Sequence, residues 1–416
     1  MTAGAHAAIQ AVHRIESPRL IAGLTRLVRD VGLAEDLAQD ALVAALEQWP
    51  ESGVPDNPGA WLMATAKHRG IDVLRRNARL QRKHAELGRD LPEGETDDLD
   101  AALDGDIEDD LLRLVFMTCH PVLSREARVA LTLRLLGGLA TPEIARAFLA
   151  PEKTVAQRIV RAKRTLKEAN VPFEMPGERA RAARLESVLE VVYLVFNEGY
   201  SATAGEDWIR PSLCQEALRL GRILAELVPA EPEVHGLVAL MELQASRLRA
   251  RVGAAGAPVL LLDQDRARWD RLLIARGLRA LERAQSLGAP LGSYGLQAAI
   301  AACHARARSA EETEWVRIAA LYDALGQIAP SPVVELNRAV AVAMAFGPAA
   351  GLEIVDALAG ESALASYHLL PSVRGELLTR LGRDDEARAE FDRAASLTHN
   401  ARERALLLAR RDATQP

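Results

Sequence analysis

Aromatic residues make up only 4 % of this 416-residue chain, and its three cysteines, Cys119, Cys214 and Cys303, lie far apart. Few aromatics argue against extended sheets, whose strands favour β-branched and aromatic side chains; the abundant Ala, Leu and Arg favour helices packed through small residues. Three distant cysteines form neither a disulfide framework nor a Cys-x-x-Cys metal site, which points to a reducing compartment. No apolar run reaches membrane-spanning length, and the N-terminus lacks the basic-then-apolar layout of a secretion signal. The expectation is a soluble, cytoplasmic protein with no membrane partner. No Gly-rich phosphate loop, metal-ligand cluster or nucleophile-His-acid set stands out, so no enzyme activity, metal or cofactor is expected. What remains is an all-α chain, too long for a single core.

Charge divides it. The net charge is −6, yet Gly59 to Lys83 carries seven Lys or Arg against the single acid Asp72. Glu86 to Asp110 then carries twelve acids against Arg89 alone. Such a dense like charge, with Pro and Gly and little periodicity, reads as an extended solvated linker. From Lys153 to Lys167 the chain is basic again, with six Lys or Arg and no acid. Pro172 and the Pro176-Gly177 pair mark a further boundary. These shifts delimit domains at 1–84 and 111–170, a linker at 85–110, and a helical extension at 180–416.

Within the first domain, Leu20, Leu24, Leu27, Val28 and Val31 recur at helical spacing, Gly32 reads as a stop, and GLAEDLAQDALVAALEQW begins a second helix. Leu37, Ala41 and Leu46 supply its inner stripe; Asp36, Gln39, Asp40 and Val43 fall on one exposed face. The next helix, PGAWLMATAKHRGIDVLRRNARLQRK from Pro58, directs Trp61, Leu62, Thr65, Ile71 and Leu74 inward and crowds Lys67, Arg69, Arg75, Arg76, Arg79 and Arg82 elsewhere. A helix C-terminus accounts for some of these cations, a polyanion for all of them.

In the second domain a leucine-rich helix ends at Gly137-Gly138, and TPEIARAFL follows, with Thr141 as expected N-cap and Pro142 at the first helical position. After a turn comes KTVAQRIVRAKRTLKE, where Thr154 and Gln157 have capping-box spacing. Val155, Ile159, Ala162 and Leu166 form its inner stripe; Gln157, Arg158, Arg161, Lys163 and Arg164 face outward. A short helix, a tight turn and a basic second helix make a helix-turn-helix with a recognition helix.

From Pro18 to Ala169 this order resembles the extracytoplasmic-function sigma factors. AEDLAQDALVAAL is similar to their polymerase-docking segment, WLMATAKHRGID to their −10 helix, with His68 where Asn is usual, and LSREARVAL to KRTL to their −35 domain, with Lys153 where Gly is common. The resemblance implies that Asp36, Leu37, Gln39, Asp40 and Val43 bind core RNA polymerase at the β′ clamp. It implies −10 contacts from Trp61, Lys67, His68, Arg69, Asp72, Arg75 and Arg76, and −35 contacts from Thr154, Gln157, Arg158, Arg161, Lys163 and Arg164. The resemblance also implies the β flap and promoter DNA as partners, and an acidic linker that stands in for RNA phosphates in the exit path; a plain flexible tether is the alternative reading of that linker. The other function class the motifs admit is a helix-turn-helix regulator with a sensory helical domain; it needs neither the AEDLAQD patch nor the Trp61 helix.

Beyond Ala180 the chain is similar to a tetratricopeptide-like extension found in a subgroup of these factors. Independently, GPAAGLEIVDAL from Gly347 recurs 35 residues on as GRDDEARAEFDRAASL from Gly382, with Ala387 and Ala394 small enough for close helix contact. Tyr193, Phe196 and Tyr200 read as a core stripe; Asn197, Glu198, Asp207, Trp208 and Arg210 cluster nearby without an assigned role. The expectation is that the extension contacts the sigma domains within the same chain and controls them.

Overall fold

The computed structural model describes residues 3–85, 107–148, 150–202, 208–253 and 256–414. The greater part of the acidic linker (86–106) and Asp207 lie outside the described residues, as do the side chains of Arg79 and Arg82. Among the described residues there are helices and no strands, and the chain divides into two compact units, residues 1–192 and 193–416. The fold is all-α, as composition implied.

The first unit opens with α1 (Ala3–Val28), α2 (Val31–Ser52) and α3 (Pro58–Ala85), which pack on one another. Leu20, Ile21 and Leu24 of α1 meet an alanine-lined face of α2 (Ala34, Ala38, Ala41, Ala45) and Leu62 and Ala66 of α3, all buried. Gly32 does not stop α1. The helix ends earlier, at Arg29 with φ of 52°, and Asp30 caps α2 by accepting from the backbone N–H groups of Gly32 and Leu33 at 2.9 and 3.1 Å.

The unit continues with α4 (Ile107–Thr118), α5 (Arg125–Leu135), α6 (Thr141–Ala147) and α7 (Glu152–Glu168). α4 packs on α1 and α5; α6 and α7 form the expected helix-turn-helix on α5. Both expected caps shift. In α6 the first carbonyl to accept is that of Ala140, whose own N–H donates to Glu143 at 2.7 Å, so Thr141 is already helical. In α7, Thr154 N–H bonds to the Pro151 carbonyl at 2.9 Å; Pro151 takes the N-cap position, three residues before Thr154, and the Thr154 side chain has no cap to make. The fixed φ of Pro151 places the start there.

α8 (Glu178–Tyr200) contains the division between the units. Its first half bonds to the end of α4 and to α5, the helix on which the helix-turn-helix packs: Ser187 donates to the Cys119 carbonyl at 2.8 Å and accepts from Arg128, while Glu190 pairs with Arg125 at 2.9 Å. The sequence boundary near Ala180 therefore falls inside the first compact unit.

The second unit adds α9 (Pro211–Leu227), α10 (Pro232–Ala245), α11 (Arg271–Ser286), α12 (Ser293–Arg306), α13 (Trp315–Ile328), α14 (Pro332–Phe346), α15 (Pro348–Ala357), α16 (Leu369–Arg380), α17 (Asp384–Leu397) and α18 (Ala401–Ala413). Chain neighbours pack on each other throughout. Gly347 and Gly382, the two marks of the 35-residue offset, have φ of 103° and 71° and stand in equivalent turns, between α14 and α15 and between α16 and α17. Ala387 and Ala394 are fully buried beside Phe391.

Candidate nucleic-acid and polymerase interface

Three helices of the first unit carry the residues singled out by the sequence. On α2, Asp36, Asp40 and Val43 are exposed and Gln39 is half-buried, while Leu37 is buried beneath them and shapes the face without reaching its surface. Two of the polar groups are already engaged: Gln39 donates to Glu35 at 3.0 Å, and the Asp40 carbonyl accepts from Arg69 of α3 at 2.9 Å. Asp36 and Val43, seven residues apart on one helical face, present the freest surface.

On α3, His68, Arg69, Asp72, Arg75 and Arg76 are exposed and Lys67 is half-buried. The inner face is narrower than expected: Leu62 and Ala66 are buried, Trp61, Thr65, Ile71 and Leu74 only partly so. Trp61 packs edge-on against Trp49 of α2, ring centroids 5.3 Å apart, which fixes the indole at the start of the basic helix.

On α7, Val155, Ile159, Ala162 and Leu166 are all buried, as the periodicity required. Thr154, Gln157, Arg161 and Arg164 are exposed. Arg158 is half-buried and, with Gln157, Arg161 and Glu126, borders a cleft of about 440 Å³ against the start of α5. Among the described residues Arg164 pairs with Glu168 alone, on its own surface at 3.4 Å, a contact worth little in water.

Lys163 lies elsewhere. It pairs with Glu35 of α2, a carboxylate 4 % exposed that also accepts from Arg134 of α5 at 2.6 Å. One turn on, Lys167 donates to Asp30 at 2.7 Å. Burial opposes ionisation of Asp30, but the hydrogen bond from Lys167 and those from the backbone of Leu33 and Gly32 win, and its pKa is lowered. Arg26 of α1 meets the buried Asp110 at 3.1 Å. Glu35 was not singled out from sequence. Its signal was there, since it sits on the alanine-lined inner side of α2, where an unpaired carboxylate is costly and a cation must meet it.

In the extension, Phe196 and Tyr200 are buried and stacked, and Glu198 pairs with Arg210. Asn197 is exposed. None of the described helices is long and apolar enough to cross a membrane.

Comparison with known proteins fits this layout. Residues 13–80 match Sigma-70 region 2, residues 113–166 match Sigma-70 region 4, and residues 184–285 match a family of unknown function, DUF6596. An uncharacterized protein of Rhizobium meliloti (strain 1021) is 46 % identical over 391 residues, covering 94 % of this chain and 92 % of the relative. The first match spans α1 to α3 and the second α4 to α7, the helices that carry the two basic surfaces. With nearly its whole length matched, the chain belongs to one family with that Rhizobium protein, and its regions 2 and 4 make it a sigma factor of the sigma-70 class, a protein that binds RNA polymerase and promoter DNA.

Proposed function

We propose that the chain is an extracytoplasmic-function-type sigma factor, working in the cytoplasm, whose C-terminal extension is tetratricopeptide-like and controls it. Asp36, Gln39, Asp40 and Val43, seated on Leu37, dock on the β′ clamp, and the −35 domain sits at the β flap. Trp61, Lys67, His68, Arg69, Asp72, Arg75 and Arg76 engage the −10 element. Gln157 and Arg158 read −35 base edges, while Thr154, Arg161, Lys163 and Arg164 hold phosphates. The observation that carries this reading is the pairing, in one compact unit, of an acid-bearing α2 face with two exposed basic helices, α3 and α7.

Control by the extension is supported by its size and by its equivalent glycine turns, which suit stacked helix pairs presenting a binding surface. The test is run-off transcription with core polymerase, comparing the full chain with one ending after Val192. Promoter-dependent transcripts from the full chain support the sigma assignment; tight promoter binding without core polymerase and no transcripts would favour a repressor instead. A substantial change on shortening, in either direction, supports control by the extension, and identical activity under all conditions opposes it.

A further inference from the structure

The second unit holds a cavity of about 490 Å³ that the transcription machinery does not use. It lies among the end of α8, α10, α12, α13 and α14, and its walls combine Leu240, Ile300, Leu325 and Val334 with an unusual set of polar groups. Tyr193, Tyr294 and Tyr322 all reach it, as do Gln244, Asn337 and Arg247. Its size falls in the range of small-molecule sites, and its mostly apolar wall with a few convergent polar groups is their usual chemistry.

Arg247 decides what kind of molecule fits. Two other arginines lie close by, and both donate hydrogen bonds to the protein, although the buried Nε of Arg251, like that of Arg247, lacks an acceptor. Arg251 donates to the Tyr200 carbonyl at 3.1 Å and sits 3.9 Å over that ring. Arg266 donates to the carbonyls of His304 and Ala307 at 2.5 and 2.9 Å and to Thr313 at 3.2 Å. Arg247 differs. Its Nε is buried with no acceptor, its guanidinium has only the faces of Tyr200 and Trp269, at 5.7 and 5.8 Å, and no carboxylate among the described residues pairs with it. His304, also on the wall, adds no negative charge, and its Nδ1 is buried without a partner. Burial first, then the charges of Arg247 and Arg266, push the His304 pKa down to about 3, so the imidazole is neutral and Arg247 is the cation that faces the space. A half-buried cation beside an apolar wall, with its Nε out of water and no counter-charge among the described residues, is a cost that an incoming anion relieves.

We propose that this cavity binds a small organic anion, its acid group against Arg247 and the Tyr322 hydroxyl and its carbon skeleton against Leu240, Ile300 and Val334. Tyr193 and Tyr294 pack edge-on, centroids 5.5 Å apart, and give the skeleton an aromatic wall. The inference does not depend on the transcriptional reading, because binding is measured on the protein directly.

The test uses the full chain, with calorimetry and thermal melting against matched probes. These are benzoate, 4-hydroxybenzoate, indole-3-acetate and octanoate, each beside its amide, together with phenyl phosphate and inorganic phosphate. At least one acid should bind in the millimolar range or tighter and raise the melting temperature, with its amide at least about 10-fold weaker. Arg247→Met should weaken that acid by roughly 10–100-fold, the loss of a charge-assisted hydrogen-bonding partner. Preference for carboxylates over phenyl phosphate, or the reverse, identifies the acid group. Ile300→Trp, which fills the cavity and leaves Arg247 in place, should also abolish binding and serves if Arg247→Met does not fold. Amides binding as tightly as acids, equal affinity in either variant and the wild type, or no response to any probe at millimolar concentration would overturn the proposal.

Discussion

Lys163, half-buried on α7, closes an ion pair with Glu35, buried near the start of α2, the helix that also carries Asp36 and Val43. The carboxylate is shared with Arg134, so α5 and α7 both hold α2 through one side chain. A phosphate contact from Lys163 requires this pair to open, whereas Arg161 and Arg158 are not so engaged.

The shared carboxylate should couple these residues energetically. Glu35→Ala leaves two cations facing an apolar side of α2, and it should destabilise the chain by less than the roughly 3–5 kcal/mol of a fully buried pair, because both cations are about a fifth exposed to solvent. A double-mutant cycle between Glu35→Ala and Lys163→Ala, read from urea unfolding, should give a coupling of roughly 0.5–3 kcal/mol. Strict additivity would mean that the contact contributes nothing in solution.

Core binding should localise to the free part of the α2 face. Gln39 and Asp40 are tied to Glu35 and Arg69, so changing them disturbs neighbours as well as the surface. Asp36→Ala with Val43→Ala touches neither contact. This double variant should weaken binding to core polymerase several-fold while the far-ultraviolet circular dichroism stays as it was; unchanged affinity in a titration would remove the docking assignment.

The recognition helix should separate readout from positioning. Arg158, seated in the cleft beside Gln157 and Glu126, should read base edges. Arg158→Ala should then cost roughly 1–3 kcal/mol on the preferred −35 sequence and flatten the preference. Arg161→Ala should weaken all promoters alike and reduce the salt slope by about 1. These are binding measurements on holoenzyme with promoter variants, and equal, sequence-independent effects of both changes would refute the division.

Stability should fall on mild acidification through His304. An unfolded imidazole takes its proton near pH 6.5, roughly, while the folded one resists to about 3, being buried and beside Arg247 and Arg266. Between those values the unfolded chain binds more protons. The contribution of His304 is therefore full above the unfolded pKa and is lost as pH falls, by up to about 1.4 kcal/mol per pH unit. Urea midpoints taken between pH 7 and pH 5 should show this slope, and His304→Gln should reduce it. An unaltered slope in the variant would place the proton elsewhere.

Much of this was visible in the sequence where periodicity speaks. The α7 stripe of Val155, Ile159, Ala162 and Leu166 is buried in full because a 3.6-residue repeat admits one inner face. Helix starts differ from the expected ones, by one residue at Thr141 and by three at Thr154, because Ala140 and Pro151 supply the first backbone bonds without a side-chain cap of their own. The role of Glu35 was hidden for another reason. Its partners Arg134 and Lys163 come from helices about a hundred residues or more away, and no local pattern joins them. The same holds for the cavity, where Tyr193, Arg247, His304 and Tyr322 meet only once α8, α10, α12 and α13 are packed.

The bonds from Ser187 and Glu190 to the end of α4 and to α5 bear on how such a chain can be altered, by an experimenter or by recombination. The segment at 170–177 looks like the natural place to cut, since it lies between helices and carries Pro172, Pro176 and Gly177. A cut there would strip the Cys119 carbonyl of its hydroxyl donor and leave Arg125 and Arg128 without the Glu190 carboxylate. A graft of a foreign extension that keeps the DNA-reading module intact therefore has to retain residues through Val192 and make its join inside a continuous helix, where the donor must match in helical phase. Lineages that exchange their C-terminal halves are expected to carry this helix along with the N-terminal half.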